Sequence, residues 1–219
     1  MAMRNILFDN DGTLYPAELE PALLEASLTS MAYYLSQRLK LSINEFYTER
    51  SRLFEKYGVK YTIHVFCREY NLPYSELVRY AYDYFEPAAC GLQPNLALKE
   101  LLGKLPFSMS VMTNNTAEFA RKVLAVLGVE MQFEKIVGAR ELSFEQKPGL
   151  PAFEKALAIT GYDPKKTLFV DNAPENLATA KQLGMKTILI NGASVSCGDA
   201  DFVIEDVCQI DKLFKEGVI

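Results

Sequence analysis

Ile6-Leu7-Phe8 is an unbroken apolar triplet that gives way to Asp9-Asn10-Asp11-Gly12, the pattern of a buried strand ending in a turn. The rhythm then becomes helical. Leu24, Leu28, Met31, Leu35 and Leu39 recur at helical spacing within Leu19 to Leu39. Ser42 with Glu45 makes a capping-box signature for a second helix running to Tyr57, and Gly58 is placed to end it. A third helical stretch covers Thr62 to Tyr70, and Pro73 opens a fourth that ends near Phe85 and Pro87. Nothing from Pro16 to Pro87 has the period of a strand.

From Gly91 onward, short apolar runs alternate with helical stretches, as βαβ units require. Strands are expected at Ser108–Met112, Lys135–Val137, Thr167–Val170 and Lys186–Ile190, with Phe202–Ile204 as an edge strand. Helices are expected at Leu96–Lys104, Glu118–Leu127, Leu150–Thr160 and Glu175–Leu183, with a short one at the end. The predicted fold class is α/β. A Rossmann-like doubly wound parallel sheet core takes residues 1–15 and 88–219, and an inserted all-helical domain takes 16–87.

Three of the predicted strands end in a side chain able to do chemistry: Asp9, Thr113 and Asp171. Lys147-Pro148 lies in the loop leading to the helix before Asp171. In a parallel sheet these carboxyl ends converge on one rim. Two acids, a hydroxyl and an ammonium suit a divalent cation plus a phosphoryl group, since Mg²⁺ prefers oxygen ligands and cationic donors hold phosphate. Asp9 and Asp11 would share a side if the extended backbone continued that far. So close a pair repels unless a cation or a proton intervenes. Aspartate is also common as an N-cap and in turns, and that plainer use stands beside the chemical one.

Asp9-Asn10-Asp11-Gly12-Thr13, Thr113-Asn114, Lys147-Pro148 and Val170-Asp171-Asn172 resemble, in order and spacing, the four motifs of the haloacid dehalogenase superfamily. The resemblance covers essentially the whole chain. It implies that Asp9 is a nucleophile forming an aspartyl-phosphate, and that Asp11 protonates the leaving oxygen and then activates water. It implies phosphate binding by Thr113, Asn114 and Lys147. Mg²⁺ would be held by Asp9, the Asp11 carbonyl and Asp171, with Asn172, Glu175 and Asn176 around it. The dehalogenases of the superfamily lack an acid at the position of Asp11, so the likeness is to its phosphatases. The helical insertion resembles caps that close over the site and choose the substrate.

Within the superfamily, Asp11-Gly12-Thr13-Leu14-Tyr15-Pro16, Glu55-Lys56-Tyr57-Gly58, and Asp171 with Asn176 before Leu183-Gly184-Met185 look like the pyrimidine 5′-nucleotidase branch. Gly12 departs from the asparagine usual there, and Asn172 from a second aspartate. The expected substrate is a small phosphorylated metabolite, with a nucleoside 5′-monophosphate as the leading case. Asn172 lowers the negative charge available to Mg²⁺, so weaker metal binding is expected. Two alternatives use the same residues: a weak or inactive member that binds a phosphorylated ligand or a protein partner, and a phosphomutase.

Bulk properties narrow the partners. The 219 residues carry a net charge of −5, which argues against a nucleic-acid polymer or an anionic membrane surface. No apolar run approaches the roughly 20 residues of a membrane span. No signal peptide is visible, and Cys67, Cys90, Cys197 and Cys208 lack close pairing, so a cytoplasmic setting with free thiols is expected. Ten of the twelve tyrosines fall within residues 16–87. One use is stacking on a base; the ordinary one is packing helix on helix. The single histidine, His64, and the cations Arg50, Arg52, Lys56 and Lys60 are read as helix-surface or packing residues before ligands.

Overall fold

The structure, a computed structural model, describes residues 3–190, 198–217 and 219. Six strands form one sheet: β1 (Asn5–Phe8), β2 (Ser108–Met112), β3 (Lys135–Val137), β4 (Thr167–Asp171), β5 (Lys186–Ile190) and β6 (Phe202–Ile204). Their order is β3-β2-β1-β4-β5-β6, and every pairing is parallel. This is the doubly wound order, in which the chain reverses direction beside the first strand. β1 therefore lies between β2 and β4, with Phe8 opposite both Val111 and Val170. The strand ends expected to carry chemistry are neighbours.

The strands read as continuous apolar runs because both faces of the sheet are covered. On one face Leu7, Phe169 and Leu189 pack with Ala152, Phe153 and Ala156 of α7 (Leu150–Thr160) and with Leu177 and Ala180 of α8 (Pro174–Gln182). Phe153 meets Phe169 edge-on at 5.1 Å. Asp9 and Asp171 stand two positions beyond Leu7 and Phe169, so the two-residue period places them on this same face. β4 runs one residue further than expected and includes Asp171 itself. The helix after β2, Ala117–Leu127, starts one residue early because the Thr116 hydroxyl caps it by accepting from the Phe119 N–H.

The chain divides into two compact units, residues 1–20 with 92–219, and residues 21–91. These limits fall a few residues beyond the expected 16–87. At the far end, the Cys90 thiol reaches the Ala22 carbonyl at 3.7 Å, tying residue 90 to the helical unit.

The helical unit is built from the helices Glu20–Leu39, Ile43–Tyr57, Thr62–Tyr70 and Tyr74–Tyr82. Ser42 and Glu45 form both halves of the capping box, and Gly58 closes that helix at φ 68°. Phe46, Leu53, Val65, Phe66 and Leu77 are buried inside it. Five of its ten tyrosines join helix to helix. Tyr34 stacks on Tyr80 at 3.8 Å and bonds Glu76, while Tyr47, Tyr57 and Tyr70 donate to Glu25, Glu69 and Glu49. Glu69 also holds Arg52 and Lys56, so those two cations are engaged within the unit. His64 is half-buried in the third of these helices. Among the described residues no helix is long and apolar enough to cross a membrane. Cys67, Cys90 and Cys208 are free thiols, and Cys197 lies outside the described residues.

Candidate active site

The backbone does not stay extended through the first motif. The Asn10 carbonyl accepts from the N–H groups of Thr13 and Leu14, and Gly12 adopts φ 70°. A turn thus begins one residue after Asp9, and Asp9 and Asp11 part company. The condition for their sharing a side is not met.

Asp9 faces β4 and the loop before α7. Its Oδ1 accepts from Lys147 Nζ at 2.6 Å, and its Oδ2 from the Thr13 hydroxyl at 3.2 Å. The same ammonium donates to Asp171 Oδ2 at 2.7 Å. Asp171 is fixed further by the Asn176 amide at 2.9 Å and by the Ala173 N–H at 2.8 Å. All three charged groups are buried. Lys147 itself is set by Asn114, whose side-chain oxygen accepts from the Lys147 N–H at 2.8 Å while its amide donates to the Lys147 carbonyl at 3.1 Å. Both ends of the Asn114 side chain are thereby occupied by one residue's main chain.

Two carboxylates and one ammonium leave this cluster one negative charge in excess. Burial pushes the Asp9 carboxyl up to about 8; the charge of Lys147 opposes that rise, and the charges of Asp171 and Asp11 add to it. Burial works against the Lys147 ammonium, but the charges and hydrogen bonds of Asp171 and Asp9 outweigh it and hold its pKa above the ordinary lysine value. A second cation in place of a proton would also settle the excess.

Asp11 faces β2 instead. Its Oδ1 accepts from the Tyr15 hydroxyl at 2.6 Å and from the Asn10 amide at 3.0 Å. Its Oδ2 accepts from the Thr113 hydroxyl at 3.0 Å and from the Asn115 amide at 2.9 Å. None of these donors is charged. Burial, and then the charge of Asp11, push the Tyr15 phenol well above its ordinary value, so it stays protonated and donates.

The carboxylates of Asp9 and Asp171, which share the Lys147 ammonium, are hard oxygen ligands of the kind that suits Mg²⁺, as is the main-chain carbonyl expected from Asp11. The buried Asn10 Oδ1 is a further oxygen with no hydrogen-bond partner among the described residues. No group of three or more His, Cys, Asp or Glu side chains is gathered for a metal among the described residues. A cation here would therefore rest on two carboxylates, main-chain oxygen and water. Of the residues expected around it, Asn176 touches Asp171, and the Asn172 side chain stands against Gly12. Glu175 is exposed in the first turn of α8 and makes no hydrogen bond or ion pair among the described residues.

Sequence reasoning singled out neither Thr13, Tyr15 nor Asn115 as a site residue. Tyr15 had a visible signal, since it is one of two tyrosines outside the helical insertion and sits four residues past an acid. Asn115 had none, because only the fold shows which of two adjacent asparagines turns toward Asp11.

The family model described as haloacid dehalogenase-like hydrolase matches residues 6–190. The phosphoglycolate phosphatase of Aquifex aeolicus (strain VF5) is 27% identical over 224 residues, covering 99% of this chain and 99% of that protein. The 2-haloacid dehalogenase from Pseudomonas syringae pv. Tomato DC3000 has a TM-score of 0.65 at 21% identity, covering 98% of this chain and 99% of its own. The HAD-hydrolase YfnB from Bacillus subtilis, bound to magnesium, has a TM-score of 0.60 at 17% identity and full coverage of both chains, 100% each. Identities this low in solved structures speak to the fold, and it is the same fold. With the family pattern spanning β1 to β5, the chain belongs to the haloacid dehalogenase-like hydrolases.

Proposed function

We propose that the protein is a Mg²⁺-dependent phosphomonoester hydrolase that works through an aspartyl-phosphate on Asp9. The observation that carries this reading is the position of Asp9: buried at the switch strand, aimed by Thr13 and Lys147, beside a second acid on the neighbouring strand. Asp9, Asp171 and the Asp11 carbonyl would hold Mg²⁺, which would offset the repulsion between an anionic nucleophile and an anionic ester.

The chain's own groups then divide the work. An Asp9 oxygen attacks phosphorus as the bond to the leaving oxygen breaks, and Asp11 gives that oxygen its proton. In the second half Asp11 takes a proton from water as the water oxygen attacks phosphorus. The bond to Asp9 breaks, phosphate leaves and the Asp9 carboxylate returns. Lys147 has three N–H donors, of which Asp9 and Asp171 use two, leaving the third for a phosphoryl oxygen. The Thr113 hydroxyl, which donates to Asp11, would turn to a second phosphoryl oxygen. Asn114 pins Lys147 through its side chain, and its second amide hydrogen is left for a phosphoryl oxygen.

The substrate reading is a small phosphorylated metabolite. The named relative, a phosphoglycolate phosphatase, favours a phosphorylated small acid over a nucleotide. In the helical unit the stacking of Tyr34 on Tyr80 and the hydrogen bonds of Tyr47, Tyr57 and Tyr70 leave fewer rings for a base. That unit is read as the substrate-selecting insertion. The test is phosphate release from an aryl phosphate with and without Mg²⁺, beside Asp9→Asn. Metal-dependent release that disappears in the variant supports the reading, and equal rates overturn it. A panel of phosphoglycolate, nucleoside 5′-monophosphates and sugar phosphates then ranks substrate classes.

A further inference from the structure

Asp11 is the most densely hydrogen-bonded side chain of the site, and its donors are not equivalent. The amides of Asn10 and Asn115 can only donate to it. The hydroxyls of Tyr15 and Thr113 can donate or accept. Each carboxylate oxygen thus meets one amide and one hydroxyl. The carboxylate is thereby held through both of its oxygens in one orientation.

We propose that Tyr15 and Asn115 are positioning residues for Asp11, one on each carboxylate oxygen, which keep it aimed for proton transfer. Tyr15 reaches it because the Gly12 turn folds the chain back four residues on, with the ring buried and the hydroxyl 2.6 Å from Oδ1. Asn115 reaches it from the other side, and its N–H also fixes the Thr113 hydroxyl at 2.9 Å. This inference rests on the hydrolase reading given above, in which Asp11 protonates the leaving oxygen.

The leaving group separates an effect on Asp11 from general damage. A p-nitrophenolate departs with little help, whereas an alkoxide needs the proton. With Tyr15→Phe in the full-length protein and saturating Mg²⁺, kcat/KM for an alkyl phosphate should fall about 10–100-fold, a part of what general acid catalysis supplies. For p-nitrophenyl phosphate it should fall no more than about 3-fold, since little proton transfer is at stake. The ratio of the two is read on one preparation, so the fraction of folded enzyme cancels. In an Asp11→Asn background, Tyr15→Phe should cause no further loss on either substrate, as groups acting through one another are not additive. If Tyr15→Phe does not fold, Asn115→Ala carries the same two expectations. Equal losses on both substrates, no loss on either, or additivity with Asp11→Asn overturns the positioning roles. A wild-type protein that releases phosphate from neither substrate overturns the hydrolase reading instead.

Discussion

The two sides of β1 solve different electrostatic problems with the same residue type. Toward β4, Asp9 lies in a buried ionic cluster with Lys147 and Asp171 that carries one negative charge too many. Toward β2, Asp11 lies among four neutral donors, with no ammonium or guanidinium on its carboxylate. The first arrangement asks for another cation. The second holds its carboxylate with neutral donors alone. In the proposed hydrolase these two environments, and not residue identity, would assign nucleophile and acid.

Removing each carboxylate is the largest test of that contrast. Asp9→Asn should lower phosphate release at least about 10³-fold on every substrate, because no covalent intermediate can form. Asp11→Asn should lower kcat/KM roughly 10²–10⁴-fold on alkyl esters and much less on aryl esters, the signature of lost acid catalysis. Matching leaving-group profiles for the two variants would erase the division of labour.

Stability should show the same asymmetry. Lys147→Met leaves two buried carboxylates facing each other, and should cost the metal-free protein about 3–5 kcal/mol in denaturant unfolding. Thr113→Val removes one uncharged donor from a carboxylate that keeps three others, together with the acceptor of the Asn115 N–H, and should cost about 1–2 kcal/mol. Mg²⁺ should restore part of the first loss and none of the second. Similar costs for both would mean that the charge on the β4 side is already compensated.

The pH dependence follows from Asp9, whose carboxyl is raised by burial to about 8. A raised acid binds its proton more tightly in the folded than in the unfolded state. Its contribution is complete below about pH 4 and is lost as the pH climbs through 8. The metal-free protein should therefore lose stability across that window, and Asp9→Asn should flatten the slope. Thermal melting from pH 4 to pH 9 in a chelating buffer measures it; a wild-type slope retained in the variant would place the proton elsewhere.

Most of the fold is present in the spacing of apolar residues, because strands covered on both faces must be uninterrupted and amphipathic helices must repeat. Ile6-Leu7-Phe8, Leu168-Phe169-Val170 and the capping box at Ser42 needed no tertiary information. The members of the charged cluster, Asp9, Lys147 and Asp171, were visible as motif residues, and a parallel sheet brings their strand ends to one rim. The ion pairs themselves were not visible, since Lys147 lies 138 positions from Asp9 and meets it only through the sheet order. The Asp11 shell escaped for another reason. Period-two reasoning carried the strand past Asp9, and only the Gly12 turn shows why Asp11, Tyr15 and Thr113 meet. Asn114 shows the same limit, since a motif position does not tell that its side chain bonds the Lys147 main chain.

The smallest expected effect bears on how far the β4 side tolerates its excess charge. Asn172 follows Asp171 where many relatives carry a second acid, and its amide packs on Gly12. A Cβ at position 12 would lie 2.2 Å from Asn172 Nδ2, and Gly12 sits at φ 70° besides. The two departures from the nucleotidase pattern are thus one packed pair, with a bare glycine making room for the side chain of residue 172. Asn172→Asp keeps that side chain's size while adding charge beside a cation site. It should tighten Mg²⁺ binding roughly 10-fold, as added anionic ligands do. It should also destabilise the metal-free protein, because a further carboxylate joins two that already repel. Gly12→Ala should displace residue 172 and cost about 1–2 kcal/mol through the left-handed backbone alone. In the Gly12→Ala background the gain from Asn172→Asp should shrink. Titration calorimetry across these three variants decides it: an unchanged affinity in Asn172→Asp means residue 172 is a spacer for Gly12 and has no part in holding the metal.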